Sequence, residues 1–208
     1  RLGIPLLIGV DAIHGQNTFE GATIFPHNIG LGATGNSLLV EEVAAITALE
    51  IQATGFNWTF SPCIAIPYNE KWGRVYEAFS ESTEMTQHLV KASVRGYQGN
   101  LSDSKTVMAT VKHFIGDGST DYGIEGGNSS ISRQELNERL LPPYRDAVNE
   151  GVENIFKAEF DISTALLFAR SSREFLHRAK HGYHSSLDDN DDDGNTPQND
   201  DHHQHHNV

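Results

Sequence analysis

Four short apolar runs, separated by segments of helical length, constrain this chain more than any other feature. They are Ile4-Pro5-Leu6-Leu7-Ile8-Gly9-Val10, Phe56-Asn57-Trp58-Thr59-Phe60, Thr106 to Val111, and Val152-Glu153-Asn154-Ile155-Phe156. Compact runs of this kind read as strands, and the more continuous ones as strands buried on both faces of a parallel sheet. Between the first and second, Asn36 stands as an N-cap, apolar residues recur through Leu38, Leu39, Val43, Ala44, Ile46 and Leu49, and Gly55 follows the end. A second helix is predicted from about Thr83 to Tyr97, with Met85, Leu89, Val90 and Val94 on one side. The third opens on the capping box Ser132-Arg133-Gln134-Glu135 and is expected to break or kink at Pro142-Pro143. Pro143 then suits the first position of a further segment to Asn149, which Gly151 ends.

The order β-α-β-α-β-α-β predicts a parallel sheet with right-handed crossovers. A (β/α) barrel and a doubly wound open sheet both satisfy it. No Gly-x-Gly-x-x-Gly stands immediately after the first run, where a dinucleotide fold needs it, and no Gly-Lys-Ser/Thr loop occurs, which argues against a nucleotide fold. The strand tips favour the barrel. The first run ends at Asp11 and His14, the third passes into Lys112-His113-Phe114-Ile115-Gly116-Asp117-Gly118, and the long connection from Ser61 to Ser82 carries Lys71-Trp72-Gly73-Arg74. Barrel sites collect groups from several strand ends. Connections longer than about 12 residues within a domain are usually functional.

Asp11, Arg74, Lys112 and His113 are the candidate binding residues. An acidic side chain accepts from paired hydroxyls while Lys, Arg and His donate, which suits a polyhydroxylated ligand; a structural ion-pair network at the barrel rim is the alternative. Lys112 and His113 are neighbours, and neighbours on a regular strand point to opposite faces. If both serve one pocket, the backbone between residues 111 and 115 must be distorted. Trp72 is expected to anchor its loop in the core, with stacking on a sugar ring as the alternative. Glu77 and Glu81 read as dipole-favourable surface charges ahead of the second helix.

Charge and composition exclude several partners. The formal net charge is -13, and seven aspartates but no Lys or Arg lie beyond Lys180. Nucleic acid binding needs clustered positive charge, and no apolar run approaches the length of a membrane helix. Cys63 is the only cysteine, so neither an internal disulfide nor a zinc cluster is encoded. Asn57, Asn100 and Asn128 each open an N-glycosylation pattern, of which the latter two suit a surface. The stretch Asp189 to Asp200 has the alternating acids of a calcium loop, but Pro197 falls inside it and Asp200 replaces the bidentate Glu. Solvated acid is the better account, and no metal site is assigned there or to His202, His203, His205 and His206.

With these residues assembled, the chain resembles glycoside hydrolase family 3, the β-glucosidase and exo-β-glucanase group. The resemblance rests on Gly9-Val10-Asp11-Ala12-Ile13-His14-Gly15, on Trp72-Gly73-Arg74 with Glu77 and Phe79, and on Lys112 to Gly118. It covers about residues 1–156. It implies an incomplete N-terminal (β/α)8 TIM-type barrel with parallel strands, in which Asp11, Arg74, Lys112 and His113 hold the glycosyl unit at the cleavage subsite. It also implies a β-glucoside or β-glucan oligosaccharide as ligand, no cofactor, and a secreted, lysosomal or vacuolar setting. Gly116-Asp117-Gly118 looks more like the β-glucosidase branch than the β-N-acetylhexosaminidase branch, whose Asp-x-His loop is not seen.

The chain departs from the pattern in two places. Tyr68-Asn69-Glu70-Lys71 replaces the family's usual Asp-Pro-Arg before Trp-Gly-Arg. Nothing matches the nucleophile motif of the Val-Ile-Ser-Asp-Trp kind, and Asp161 lacks its context, so no catalytic residue is assigned. The expected organisation is an incomplete barrel over 1–160, a divergent helical segment over 161–183 and a disordered Asp/His-rich tail over 184–208. The family reaction is a retaining double displacement, to which this chain is expected to contribute the clamp without turning over alone. A non-catalytic sugar-binding module is the competing function. Unclosed barrel edges are expected to promote self-association.

Overall fold

The computed structural model describes residues 6–101 and 103–157. It is an α/β fold with parallel strands. The strands are β1 (Gly9–Val10), β2 (Trp58–Thr59), β3 (Thr110–Phe114) and β4 (Asn154–Lys157). β1 pairs with β2 and β3 with β4, both in parallel. The halves join where Thr59 N–H donates to the Met108 carbonyl at 2.9 Å and Met108 N–H to the Asn57 carbonyl at 3.1 Å. The spatial order is therefore the chain order.

The helices are α1 (Asn28–Thr34), α2 (Ser37–Ala53), α3 (Thr83–Gln98) and a composite third crossover. The Asn36 side chain accepts from the N–H groups of Leu38 and Leu39, which fixes the start of α2. Ser82 caps α3 through Met85 N–H. α2 packs on α3, and α3 on the last helix, in one layer that follows chain order. Its core joins Val40 and Val43 of α2 and Leu89, Val90 and Val94 of α3 to Ile64, Ile66 and Val111 beneath and to Leu136, Leu140 and Tyr144 beyond. A second cluster sets Ala44, Ala48 and Ile51 against Val10, Val107 and Ala109.

Several boundaries differ from the sequence expectation. Among the described residues of the expected first strand, Gly9 and Val10 pair; Leu6, Leu7 and Ile8 are exposed, although Ile8 N–H still donates to Asn57 Oδ1 at 2.8 Å. The third strand begins at Thr110, not Thr106, and extends beyond Val111 to Phe114, so its polar tip belongs to the strand and not to the loop. The Pro142-Pro143 pair does not end the crossover, but it does fall in the first turn of the expected further segment to Asn149, directly after a π turn. The composite crossover runs as α4 (Arg133–Glu135), a π turn (Leu136–Leu140) and α5 (Leu141–Asn149). A proline at 143 offers no N–H to the Arg139 carbonyl one turn back, and that carbonyl instead accepts from Thr83 Oγ1 at 3.0 Å. A partner on α3 thus replaces the lost helical bond.

α1 has no counterpart in the sequence reading, because Pro26, Gly30 and Gly32 look like a loop. Its existence depends on Gly32: a Cβ there would sit 1.7 Å from the Phe79 carbonyl oxygen. That approach lets α1 brace the turn before α3, and Asn28 Nδ2 donates to the Glu77 carbonyl at 2.8 Å. The expected helix over 161–183 and the tail over 184–208, with Asp161 and the His-rich end, lie outside the described residues.

Candidate active site

Asp11, Arg74, Lys112 and His113 line one cavity of about 470 Å³, together with Phe60, Asp117, Glu125 and Phe156. Asp11 follows β1 directly, Arg74 opens the 3₁₀ turn Val75–Glu77, and Lys112 and His113 lie within β3. The four residues named from sequence are therefore brought together from three consecutive β-strand units.

The β3 pleat is interrupted where both of its side chains are needed. The pairing of β3 with β4 shifts register between Val111 and Phe114, and the Lys112-His113 and Phe114-Ile115 peptides are cis. The alternation that would have sent the two side chains apart does not operate across this interruption. The His113 carbonyl is pinned from outside the sheet by the Tyr144 hydroxyl, which donates to it at 2.8 Å. Burial pushes the Tyr144 phenol well above its ordinary range, so it remains a donor.

Each cation in the cavity faces a carboxylate. Lys112 is 2% exposed, and its Nζ lies 2.6 Å from Asp11 Oδ1, while the Asp11 side chain is 53% exposed. The buried ammonium is thus held at the floor and the carboxylate opens toward solvent. Arg74 makes a two-bond fork with Glu77, Nε to Oε1 at 2.6 Å and Nη2 to Oε2 at 2.9 Å. Burial works against the Arg74 charge, but the Glu77 carboxylate outweighs it and keeps the guanidinium protonated above its ordinary range. Glu125 takes the remaining side, accepting from Arg74 Nη1 at 3.2 Å and from Trp72 Nε1 at 3.1 Å. Asp117 Oδ2 lies 2.9 Å from His113 Nδ1 and 4.0 Å from Arg74 Nη1. The His113 contact has the distance of a hydrogen bond but not its angle, which leaves both atoms without a hydrogen-bond partner in this state.

Two sequence expectations change here. Glu77 is not a surface charge; it is 4% exposed and forks Arg74. The i,i+3 spacing is visible in the sequence, but nothing there distinguishes a buried fork on a 3₁₀ turn from acids before a helix. Trp72 is buried and hydrogen-bonded to Glu125, so it anchors its loop and presents no open face for stacking. Glu81 is exposed, as expected.

The glycines of the β3 tip have separate tasks. Gly116 turns the chain at φ 101°. Gly118 passes so close to the 66–67 backbone that a Cβ would lie 2.3 Å from the Ile66 carbonyl oxygen. That passage ties the Asp117 loop to the Trp72–Arg74 loop, where Asn69 N–H donates to the Gly118 carbonyl at 3.0 Å. The Asp11 and Arg74 loops are joined by rings: His14 stacks on His27 at 4.0 Å, and His27 meets Tyr76 edge-on at 4.6 Å. Cys63 lies beneath, fully buried, its thiol pushed up to about 12 by desolvation, which removes it as a nucleophile. Among the described residues no group of three or more His, Cys, Asp or Glu could hold a metal ion, and no helix is long and apolar enough to cross a membrane.

A family model described as the glycosyl hydrolase family 3 N terminal domain matches residues 1–172. The chain is 34% identical over 152 residues to a periplasmic beta-glucosidase of Salmonella typhimurium, covering 73% of this chain and 19% of that protein. A lysosomal beta glucosidase of Dictyostelium discoideum is 32% identical over 151 residues, covering 70% of this chain and 18% of its own length. Among solved structures, the exo-1,3/1,4-beta-glucanase of a Pseudoalteromonas species superposes with a TM-score of 0.72 at 37% identity, over 76% of this chain and 20% of that one. The beta-glucosidase of Listeria innocua in complex with glucose gives a TM-score of 0.72 at 35% identity, over 77% and 22%. The chain thus spans about a fifth of the length of these relatives.

Proposed function

The chain belongs to glycosyl hydrolase family 3, and from that premise we propose that it forms the glycosyl-binding wall of a β-glucosidase-type hydrolase. Asp11, Arg74, Lys112 and His113 hold the hydroxyl face of a terminal β-D-glucosyl residue. Asp11 accepts from vicinal hydroxyls, and Lys112, Arg74 and His113 donate. The observation that carries this reading is the pairing at the cavity. Asp11, Glu77 and Glu125 each already face a cation, and Asp117 stands between His113 and Arg74. A carboxylate engaged with a cation stays ionised and is suited to accept from and orient hydroxyls.

A retaining glycosidase needs two carboxyl groups about 5–5.5 Å apart across the scissile bond, one attacking and one protonating the leaving oxygen. In this proposal the described residues clamp and orient the sugar, and neither catalytic carboxyl is assigned among them. The single layer of α2, α3 and α5 in chain order supports a barrel segment over a doubly wound sheet, whose helices would divide between two faces. The incomplete barrel over 1–160 is proposed on that ground. Relatives named periplasmic and lysosomal support a compartment outside the cytosol.

Thermal melts with glucose test the clamp. At a ligand concentration of about 100 times Kd the folded state gains about 2.7 kcal/mol, which raises Tm by about 5–10 °C for a domain of this size. No glucose-dependent shift would overturn the proposal. Aryl β-glucoside hydrolysis is expected to be absent for this chain by itself, and measurable turnover would refute the assignment of clamp without catalyst. Among the described residues β1 and β4 have one strand partner each, so we also propose self-association through the outer edges. A sedimentation coefficient independent of concentration would contradict it.

A further inference from the structure

A second cavity, of about 730 Å³, is lined by residues 68–70 and 119–122 with Ser130, Ile131 and Glu135, and shares no lining residue with the first. Two tyrosines dominate its rim. Tyr122 is 79% exposed at φ 60°, and it is the single non-glycine residue at positive φ among those described. A bulky side chain in that region is uncommon and carries a conformational penalty. A glycine would turn the chain there without that penalty, so the turn itself gives no reason for a ring. Tyr68, by contrast, is fixed. Its hydroxyl donates to Glu135 Oε1 at 2.6 Å and one face of its ring lies under the Arg139 guanidinium at 4.6 Å. Glu135 stays ionised to low pH: the Tyr68 hydroxyl and the Ser132 cap hold its carboxyl down at about 2.

The remaining walls define what such a site accepts. Glu70, Asp121 and Glu135 disfavour phosphate and other anions. The donors and acceptors around the rim suit neither an apolar ligand nor, in the absence of a ligating cluster among the described residues, a metal ion. The Thr120 hydroxyl, buried in the cavity wall, has no hydrogen-bond partner. Asp121 is taken up by Ser130 and Asn128, and Glu135 by Tyr68 and Ser132. That leaves Glu70 and the Thr120 hydroxyl to bond hydroxyls beside aromatic faces that cover C–H surfaces, a combination that suits a neutral saccharide.

We propose that this cavity is an accessory saccharide site, which takes a β-linked glucan chain between Tyr68 and Tyr122 away from the glycosyl clamp. It rests on the saccharide-binding reading above for its ligand class but uses none of the clamp residues. Asn69 links the two places, since its Nδ2 donates to the Thr120 carbonyl at 3.0 Å while its N–H donates to that of Gly118. A glucan held at the rim would rest on the same loop that carries Asp117.

Native electrophoresis of the full chain through gels containing barley β-glucan tests the site. The wild-type chain should be retarded, and Tyr122→Phe should keep the retardation. Tyr122→Gly, which removes the ring and suits the positive φ, should weaken it by about fivefold or more in apparent Kd. Asp11→Asn should lose glucose protection in a melt while keeping its retardation in the gel. Unretarded wild type, or Tyr122→Gly retarded as strongly as wild type, overturns the accessory site. Retardation lost in Asp11→Asn would also overturn it, by assigning the binding to the clamp. Absent glucose protection with Tyr122-dependent retardation sinks the clamp reading and leaves this one standing.

Discussion

Removing Asp11 should harm the fold more than removing Lys112, although the two residues share one ion pair. Lys112 is 2% exposed and its ammonium meets Asp11 at 2.6 Å, whereas the Asp11 side chain is 53% exposed. Asp11→Ala leaves a buried ammonium facing an empty position. A charge-assisted hydrogen bond contributes about 1.5–3 kcal/mol, and breaking a fully buried pair costs about 3–5 kcal/mol. Because the cavity admits water on the Asp11 side, the lower range applies. We expect about 2 kcal/mol, a fall in Tm of about 4–8 °C. Lys112→Met removes the charge and keeps an unbranched apolar stem, and the carboxylate it abandons is already half in water. Its cost should be below about 1 kcal/mol. The double variant should match Lys112→Met, so the cycle yields a coupling close to the Asp11→Ala loss. Urea melts of the four proteins measure this directly. Asp11→Ala as stable as wild type, or Lys112→Met the more damaging of the two, would refute the argument that a buried cation sets the asymmetry.

Two further perturbations address the scaffold. Gly32→Ala drives a Cβ to 1.7 Å from a backbone carbonyl, which no rotamer relieves; a loss of about 3 kcal/mol is expected in urea denaturation, and an unchanged midpoint would show that α1 does not press on Phe79. His27 titrates below its ordinary 6.5, first because burial disfavours its charge and then because His14 lies beside it, with Glu77 opposing. A base with a lowered folded pKa stabilises the chain above its unfolded value and loses that contribution as pH falls through the folded value. Stability should therefore decline on acidification below about pH 6.5, and less steeply in His27→Gln; parallel pH profiles would exclude a role for the His14–His27–Tyr76 stack.

Local signals carry much of the fold. Asn36, Gly55 and the Ser132–Glu135 box are read by the backbone within a turn of themselves, so α2 and the start of the third crossover are legible in the sequence. α1 is not, because its glycine serves a contact with Phe79, distant in sequence. The proline pair is legible as an irregularity and a new segment to Asn149, but whether an orphaned carbonyl ends a helix depends on what stands opposite, and here Thr83 supplies a hydroxyl. The first strand is shorter than its apolar run, since such a run does not reveal whether a neighbour exists to pair with it. At the site, chemistry is more legible than geometry. Asp11, Arg74, Lys112 and His113 stand out as ionisable groups at strand tips, and they do share a cavity. The place of Glu77 is hidden, since burial of a carboxylate depends on the fork it finds. Tyr122 gives no signal, because its left-handed turn is visible only in the backbone.

The most direct test of the glycosyl clamp is a calorimetric titration of glucose into the wild-type chain and into Lys112→Met, the variant expected to keep its fold. One glucose per chain should bind wild type at the clamp, and the heat should vanish in Lys112→Met while its melting temperature stays close to that of wild type. Binding that survives in Lys112→Met, or no binding to a folded wild-type chain, would contradict the claim that Asp11, Arg74, Lys112 and His113 hold a glycosyl unit.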